Sequence, residues 1–198
     1  MKRLLLATTN RGKQSEFRRL LRPLAVEIVT PGEIGLDLEV DEPYDTYLEN
    51  AVAKAAAFAG TSGLVSVADD SGIEVAALDW GPGVRSARWA GDRGREAGRL
   101  LEALEGTADR RARMVCALAV ATPRPDGEPL VETFTGVIEG TIAGERHGRG
   151  GFGYDPVFLI DGQTTTAELP DAEKDRISHR GRAVAAALPR LRELLAEH

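Results

Sequence analysis

The residues best suited to chemistry lie in the stretch Val65-Ser66-Val67-Ala68-Asp69-Asp70-Ser71-Gly72. Small and β-branched residues read as a short buried strand, and the strand runs into two carboxylates, a hydroxyl and a glycine. An unpaired carboxylate in a core is costly, so the pattern predicts a strand that ends at a rim, where water or a metal ion can reach the oxygens. Side chains alternate along a strand. Asp69 and Asp70 therefore cannot face one ligand together while extended, and a turn at Ser71-Gly72 could bring both round. An ordinary Asx turn would use the same residues. Positive charge is the natural complement, and its form is informative: the chain has four lysines against 21 arginines. Lys13, Lys54 and Lys174 all fall inside the motifs described below, where a lysine offers a compact point charge in place of a planar fork.

The elements that must position these groups follow from hydrophobic periodicity. Residues 3–7 read as a first strand, Thr8-Thr9-Asn10-Arg11-Gly12-Lys13 as a loop, and 13–21 as a helix with Phe17, Leu20 and Leu21 on one face. A strand, a loop of hydroxyls and glycine, and a helix N-terminus bearing Lys form an arrangement that holds phosphate. It is not a P-loop, and a capped helix start with an exposed Lys is the plainer reading. A second strand is predicted over 25–30, then a polar connection over 32–44 with Asp37, Glu39, Asp41 and Glu42, either a solvated face or a metal site. Leu48, Ala51, Val52, Ala55 and Ala59 repeat at helical spacing over 46–59, a helix that carries Glu49, Asn50 and Lys54. This alternation of β and α signals an α/β layer fold.

Beyond Gly72, residues 73–76 read as an extension of a strand, followed by a turn at Trp80-Gly81-Pro82-Gly83, an irregular stretch at 84–91 and a helix over 93–104. Two strand-like runs, 112–122 and 131–140, flank Pro123-Arg124-Pro125-Asp126-Gly127 and read as a hairpin belonging to a second lobe. The loop over 144–156 holds five glycines up to Gly153, and its Phe152 and Tyr154 would either stack on a nucleobase or anchor the loop to the core. Lys174 and Ser178-His179-Arg180 precede a terminal helix that turns Val184, Ala187, Leu188, Leu191 and Leu195 inward. Ser178 could cap that helix, and Pro189 should kink or restart it.

At 198 residues the chain is expected to form one domain in two lobes. A net charge of −6 argues against nucleic acid or an anionic membrane as a partner. The apolar run at Leu4-Leu5-Leu6-Ala7 is too short for a secretory signal, and no run is long enough to span a bilayer. The single cysteine, Cys116, excludes an internal disulfide and reads as a core residue. A cytoplasmic protein is expected.

Each motif alone is weak, but the set is specific in combination and order. Thr8-x-Asn10-x-x-Lys13, Glu49-Asn50-Ala51-x-x-Lys54-Ala55, Ala68-Asp69-Asp70-Ser71-Gly72, Gly151-Phe152-Gly153-Tyr154-Asp155-Pro156 and Ser178-His179-Arg180-Gly181 closely resemble the Ham1/RdgB family. Its members are inosine/xanthosine triphosphate pyrophosphatases. Over nearly the whole chain, the resemblance implies a two-lobed α/β ITPase-like fold around a long mixed β-sheet, a Mg²⁺-dependent site between the lobes, and a homodimer. The implied reaction converts a purine nucleoside triphosphate (ITP, dITP or XTP) and water to the monophosphate and pyrophosphate. Departures are small: Thr9 stands where the family usually has glycine, Tyr47 replaces a Phe, and Asp79-Trp80 replaces a glycine-rich pair.

On this resemblance Asp70 is the general base, with Asp69 supporting it and Lys54 completing the catalytic group. Thr8, Thr9, Asn10, Arg11, Gly12 and Lys13 would bind phosphates, and Phe152 would stack on the base. Ser71, Gly153, Tyr154, Asp155, Lys174, His179 and Arg180 would surround it. Mg²⁺ would take Asp70 with Glu42, although Glu39 and Asp41 are close enough in sequence to serve in place of Glu42. Two other classes fit parts of the pattern: a Mg²⁺-dependent phosphomonoesterase, and a non-catalytic nucleotide sensor that would need no carboxylate pair.

Overall fold

A computed structural model of the chain describes residues 2–91 and 94–197. The elements in order are β1 (Arg3–Leu6), α1 (Arg11–Leu20), β2 (Glu27–Val29), α2 (Tyr47–Ser62), β3 (Ser66–Val75), β4 (Gly81–Pro82), α3 (Ser86–Trp89), α4 (Glu96–Ala103), β5 (Arg111–Thr122), β6 (Leu130–Ile142), β7 (Phe158–Leu159), α5 (Asp171–Ile177) and α6 (His179–Glu197). The strands form one mixed sheet in the order β2-β1-β3-β5-β6-β7, with β4 paired to β3. This is the expected α/β class with a long mixed sheet. The chain divides into two compact units. The first takes Met1–Asp70, Cys116–Gly136 and Arg180–His198; the second takes Ser71–Val115 and Val137–His179.

In the first unit β1 is parallel to both β2 and β3, with Leu4 opposite Ile28 and Leu6 opposite Val67. Parallel strands carry their ligand-facing loops at the carboxyl ends, and that register sets Thr8 and Asp69 at the same end. The core joins Leu4, Leu6, Phe17, Val67, Leu118 and Leu191 with their neighbours. The helix α6 supplies its Ala183, Val184, Ala187, Leu191, Leu194 and Leu195 side, and runs as one element through Pro189 with no restart. Thr46 caps α2 by accepting the Glu49 N–H, and its hydroxyl donates to the Glu49 carboxylate. Gly63, at φ 67°, ends that helix.

In the second unit Ile73, Val75, Leu100, Met114, Ile138 and Phe158 lead a separate core. Tyr154 belongs to it: the ring is buried and the hydroxyl donates to the Ser86 carbonyl at 2.9 Å. Asp79 and Trp80 both take positive φ, 50° and 62°, a conformation that glycine adopts without steric cost. Here the Arg113 guanidinium lies 4.9 Å over the Trp80 ring.

Four expectations need correction. Strand β3 does not end at the carboxylates but runs on without a turn through Ser71-Gly72 to Val75, because, as described below, the charges meet partners inside the fold. Helix α1 begins at Arg11, two residues before Lys13, since Asn10 caps it. The hairpin is not confined to the second unit: Cys116–Gly136, which holds its closed end, belongs to the first. The stretch 84–91 contains a short helix, α3. The expected helix over 93–104 is present as α4; its predicted first residue, Arg93, lies outside the described residues.

Candidate functional site

The first unit gathers the charged residues into two groups on opposite faces of β3. Asp69 is 1% exposed, and Lys13 Nζ stands 2.9 Å from its Oδ2. Neither carboxylate oxygen is satisfied by a well-directed hydrogen bond, so the contact is mainly Coulombic. Arg180 Nε lies 3.6 Å from the same oxygen, and Arg180 Nη1 donates to Glu16 at 2.9 Å. Lys13, Asp69, Arg180 and Glu16 thus form a buried chain of alternating charge. Burial raises the Asp69 pKa, but Lys13, Arg180 and Lys54 outweigh it and hold the carboxyl far below the usual carboxylate range.

Lys13 reaches Asp69 because of how α1 starts. Asn10 Oδ1 accepts the Lys13 N–H at 3.1 Å, Thr8 Oγ1 accepts the Asn10 N–H at 3.2 Å, and the Gln14 side chain donates to the Thr8 carbonyl at 2.8 Å. The loop Thr8-Thr9-Asn10 and the first turn, Arg11-Gly12-Lys13, therefore present a helix N-terminus beside a lysine, a combination suited to an anion. Glu16 went unnoticed in the sequence. Its position three residues after Lys13, on the same helical face, was the available signal.

On the other face of β3, Asp70 accepts a hydrogen bond on Oδ2 from the Asn50 amide at 3.0 Å. Asn50, in the first turns of α2, also accepts the Tyr44 N–H and donates to the Tyr44 carbonyl, each at 3.1 Å. That segment carries Glu42, which pairs with Lys54 from the next turn of α2. Of the three acidic residues that could partner Asp70, Glu42 is half-buried, whereas Glu39 and Asp41 are exposed. Burial pushes the Asp70 carboxyl up, the Asn50 amide and Lys13 oppose it, and the Glu42 charge adds to the rise; the balance stays above the usual value. Two hard oxygen donors whose charges repel suit a divalent cation. Among the described residues no three His, Cys, Asp or Glu side chains cluster as ligands. An ion here would draw on one or two carboxylates with water or phosphate oxygens, the habit of Mg²⁺.

The second unit holds the other constellation. Asp155 is 4% exposed and accepts from the Phe152 N–H at 2.7 Å, the Thr166 hydroxyl at 2.8 Å and Lys174 Nζ at 2.6 Å. Lys174 Nζ in turn lies 5.6 Å from the centre of the Phe152 ring. Gly151 makes this possible: at φ 67° a side chain is strained, and a Cβ would overlap Asp155 Oδ2. Gly153 also takes positive φ, 64°. Thr166 had no signal in the sequence. Ser71 is half-buried in β3, and His179 is buried at the start of α6. Tyr154 is the exception in this group, since its hydroxyl is committed to Ser86.

Comparison with known proteins gives this geometry a context. The sequence model of the Ham1 family matches residues 4–190. A protein of Symbiobacterium thermophilum named dITP/XTP pyrophosphatase is 47% identical over 99% of this chain and 98% of its own. One of Nitrosomonas europaea with the same name is 45% identical over 98% of this chain and 96% of its own. Among solved structures, a HAM1 protein from Coxiella burnetii is 40% identical with a TM-score of 0.80, covering the whole of both chains. The Staphylococcus aureus Ham1 protein is 35% identical with a TM-score of 0.82, over 97% of this chain and 99% of that one. A match that opens inside β1 and closes inside α6 leaves no element of the fold outside it: the chain belongs to the Ham1 family.

Proposed function

We propose that the protein hydrolyses non-canonical purine nucleoside triphosphates, dITP, ITP and XTP, to the monophosphate and pyrophosphate in a Mg²⁺-dependent reaction. The observation that carries this reading is Asp70, a buried carboxylate held by Asn50 with the Glu42 charge beside it, in the same unit as Lys13, Lys54 and the α1 N-terminus. The name dITP/XTP pyrophosphatase borne by relatives of full length supports the substrate class.

The chain's own groups suffice to assign roles. Lys13, Lys54 and the first N–H groups of α1 draw in the polyphosphate and spread its charge. Asp70, whose proton affinity is raised by burial, accepts a proton from the attacking water. Water oxygen bonds to the α-phosphorus as the bond from that phosphorus to the bridging oxygen breaks, and pyrophosphate leaves with the electron pair. Asp70 and Glu42 would hold the Mg²⁺, which when bound supplies positive charge to the phosphates and orients them. Asp69 does not face the same side as Asp70; its role is to fix Lys13 and Arg180. Phe152 provides a face for the purine. Lys174, anchored by Asp155, has protons to donate and no acceptor, which suits a carbonyl at C6 and disfavours the amine of adenine.

The deciding experiment is product analysis with purified protein, dITP and Mg²⁺. Stoichiometric pyrophosphate is expected. Orthophosphate as the first product would favour the phosphomonoesterase, and binding without turnover the sensor. The homodimer belongs to the same proposal, and sedimentation equilibrium tests it.

A further inference from the structure

Asn50 is an unusual residue for its position. It lies in the first turns of α2, is 1% exposed, and is a poor helix former. A buried amide requires a polar explanation, and its hydrogen bonds supply one. Oδ1 accepts the Tyr44 N–H at 3.1 Å; Nδ2 donates one proton to the Tyr44 carbonyl at 3.1 Å and the other to Asp70 Oδ2 at 3.0 Å. The amide orientation is fixed by these partners. Flipped, it would set oxygen against a carbonyl and a carboxylate, and NH₂ against an N–H. Both protons are therefore used. One amide grips the backbone of the acidic segment on both sides of a single residue and, with the proton left over, grips the carboxylate of β3.

The segment gripped at Tyr44 is the one that carries Glu42, two residues earlier, and Glu42 is further tied to Lys54 one turn along the same helix. We propose that Asn50 is a positioning residue that binds the Glu42-bearing segment to Asp70 and so sets the separation of the two carboxylates before any ion arrives. The proposal rests on the reading above, in which those carboxylates take a divalent cation. Asn50 itself touches neither substrate nor reacting atoms. Its effect passes through Asp70 and Glu42, as outer partners of metal ligands act elsewhere, where their loss lowers metal affinity or activity by about 10–100-fold. Asparagine is suited to this because it alone among short side chains has one acceptor and two donors in a plane. Asp would lose both donors, and Ala all three bonds.

The test compares wild type with Asn50→Ala by two measurements that require no turnover. Amide hydrogen exchange on the metal-free protein should find the Tyr44 N–H protected in wild type. In Asn50→Ala, residues 41–46 should exchange faster while the β1 amides stay unchanged. Mn²⁺ binding, followed by its electron paramagnetic resonance, should weaken by about tenfold or more. Steady-state rates with dITP should then show a raised Mg²⁺ requirement. Unchanged exchange in residues 41–46, or Mn²⁺ affinity within about twofold of wild type, would overturn the proposal. Should Asn50→Ala not fold, Asn50→Ser gives the same two readings, and an unprotected Tyr44 N–H in wild type is by itself decisive against the tie. Wild type that binds no Mn²⁺ removes the metal reading and this proposal together. Wild type that binds Mn²⁺ but releases no pyrophosphate refutes the proposed reaction and leaves the role of Asn50 standing.

Discussion

Asp69 and Asp70 are neighbours of identical chemistry on opposite faces of one strand, and the structure predicts opposite consequences when each is replaced by Asn. Asp69 is 1% exposed between Lys13 at 2.9 Å and Arg180 at 3.6 Å. Asp69→Asn keeps the shape and removes the negative charge that faces both Lys13 and Arg180, while the Arg180–Glu16 pair stays in place. Removing one partner from a buried pair costs about 3–5 kcal/mol. For a chain of this size the lower figure corresponds to a fall in Tm of roughly 6–12 °C. The sign with pH follows from the depressed folded-state pKa: the stabilisation is full above the ordinary carboxylate value, shrinks as pH falls below it, and is gone only once pH has passed the far lower folded-state value. The variant should therefore lose most at neutral pH, and the gap in Tm should begin to narrow only toward pH 3. Asp70→Asn preserves an acceptor for the Asn50 amide and should leave Tm within a few degrees of wild type while lowering kcat by about 10²–10⁴. Calorimetry from pH 3 to 8 and dITP turnover on both variants are the assays. If Asp69→Asn unfolds at the wild-type temperature, or if Asp70→Asn keeps more than about a tenth of the wild-type kcat, this division of labour is wrong.

Gly151→Ala should displace the Asp155 carboxylate and with it Lys174 and Phe152; strain of about 1–3 kcal/mol and a fall in kcat/KM for dITP are expected, and a crystal structure of the variant with Asp155 unmoved would contradict the cause. Tyr154→Phe removes the donor to the buried Ser86 carbonyl and should cost about 1–3 kcal/mol in thermal unfolding while leaving the ratio of kcat/KM for XTP and ATP unchanged. A changed ratio would assign Tyr154 to reading the base. Turnover in H₂¹⁸O should place the label in the monophosphate, checked by mass spectrometry; label in pyrophosphate would mean attack at the β-phosphorus.

Much of the fold was legible because it is written in local pattern. The apolar run at β1 and the repeat of Ala51, Ala55 and Ala59 each specify an element from a few adjacent residues, whereas the cap at Asn10 that starts α1 two residues early was not read. The constellation of site residues was legible only as a set, since Lys13, Asp69 and Arg180 are far apart in the chain and meet through β-strand register and the entry of α6. Glu16 was passed over because one glutamate on an arginine-rich helix resembles a solvated residue until its partner, 164 positions away, is known.

The prediction that failed at β3 failed for an instructive reason. Two adjacent carboxylates were expected to mark a strand's end because each was weighed as an isolated charge in a core. The strand instead continues, since each carboxylate is met on its own side: Asp69 by Lys13 and Arg180, Asp70 by the Asn50 amide. Alternation then becomes an asset. A strand with a carboxylate on each face can commit one to holding cations in place while the other, kept at a raised pKa by burial, stays available to accept a proton. A turn at Ser71-Gly72 that brought both to one ligand would have placed two like charges together, and the same cations would have had to serve both. Continuous β3 geometry sets the two carboxylates on opposite faces one peptide unit apart, and in the proposed reaction that spacing separates the two roles.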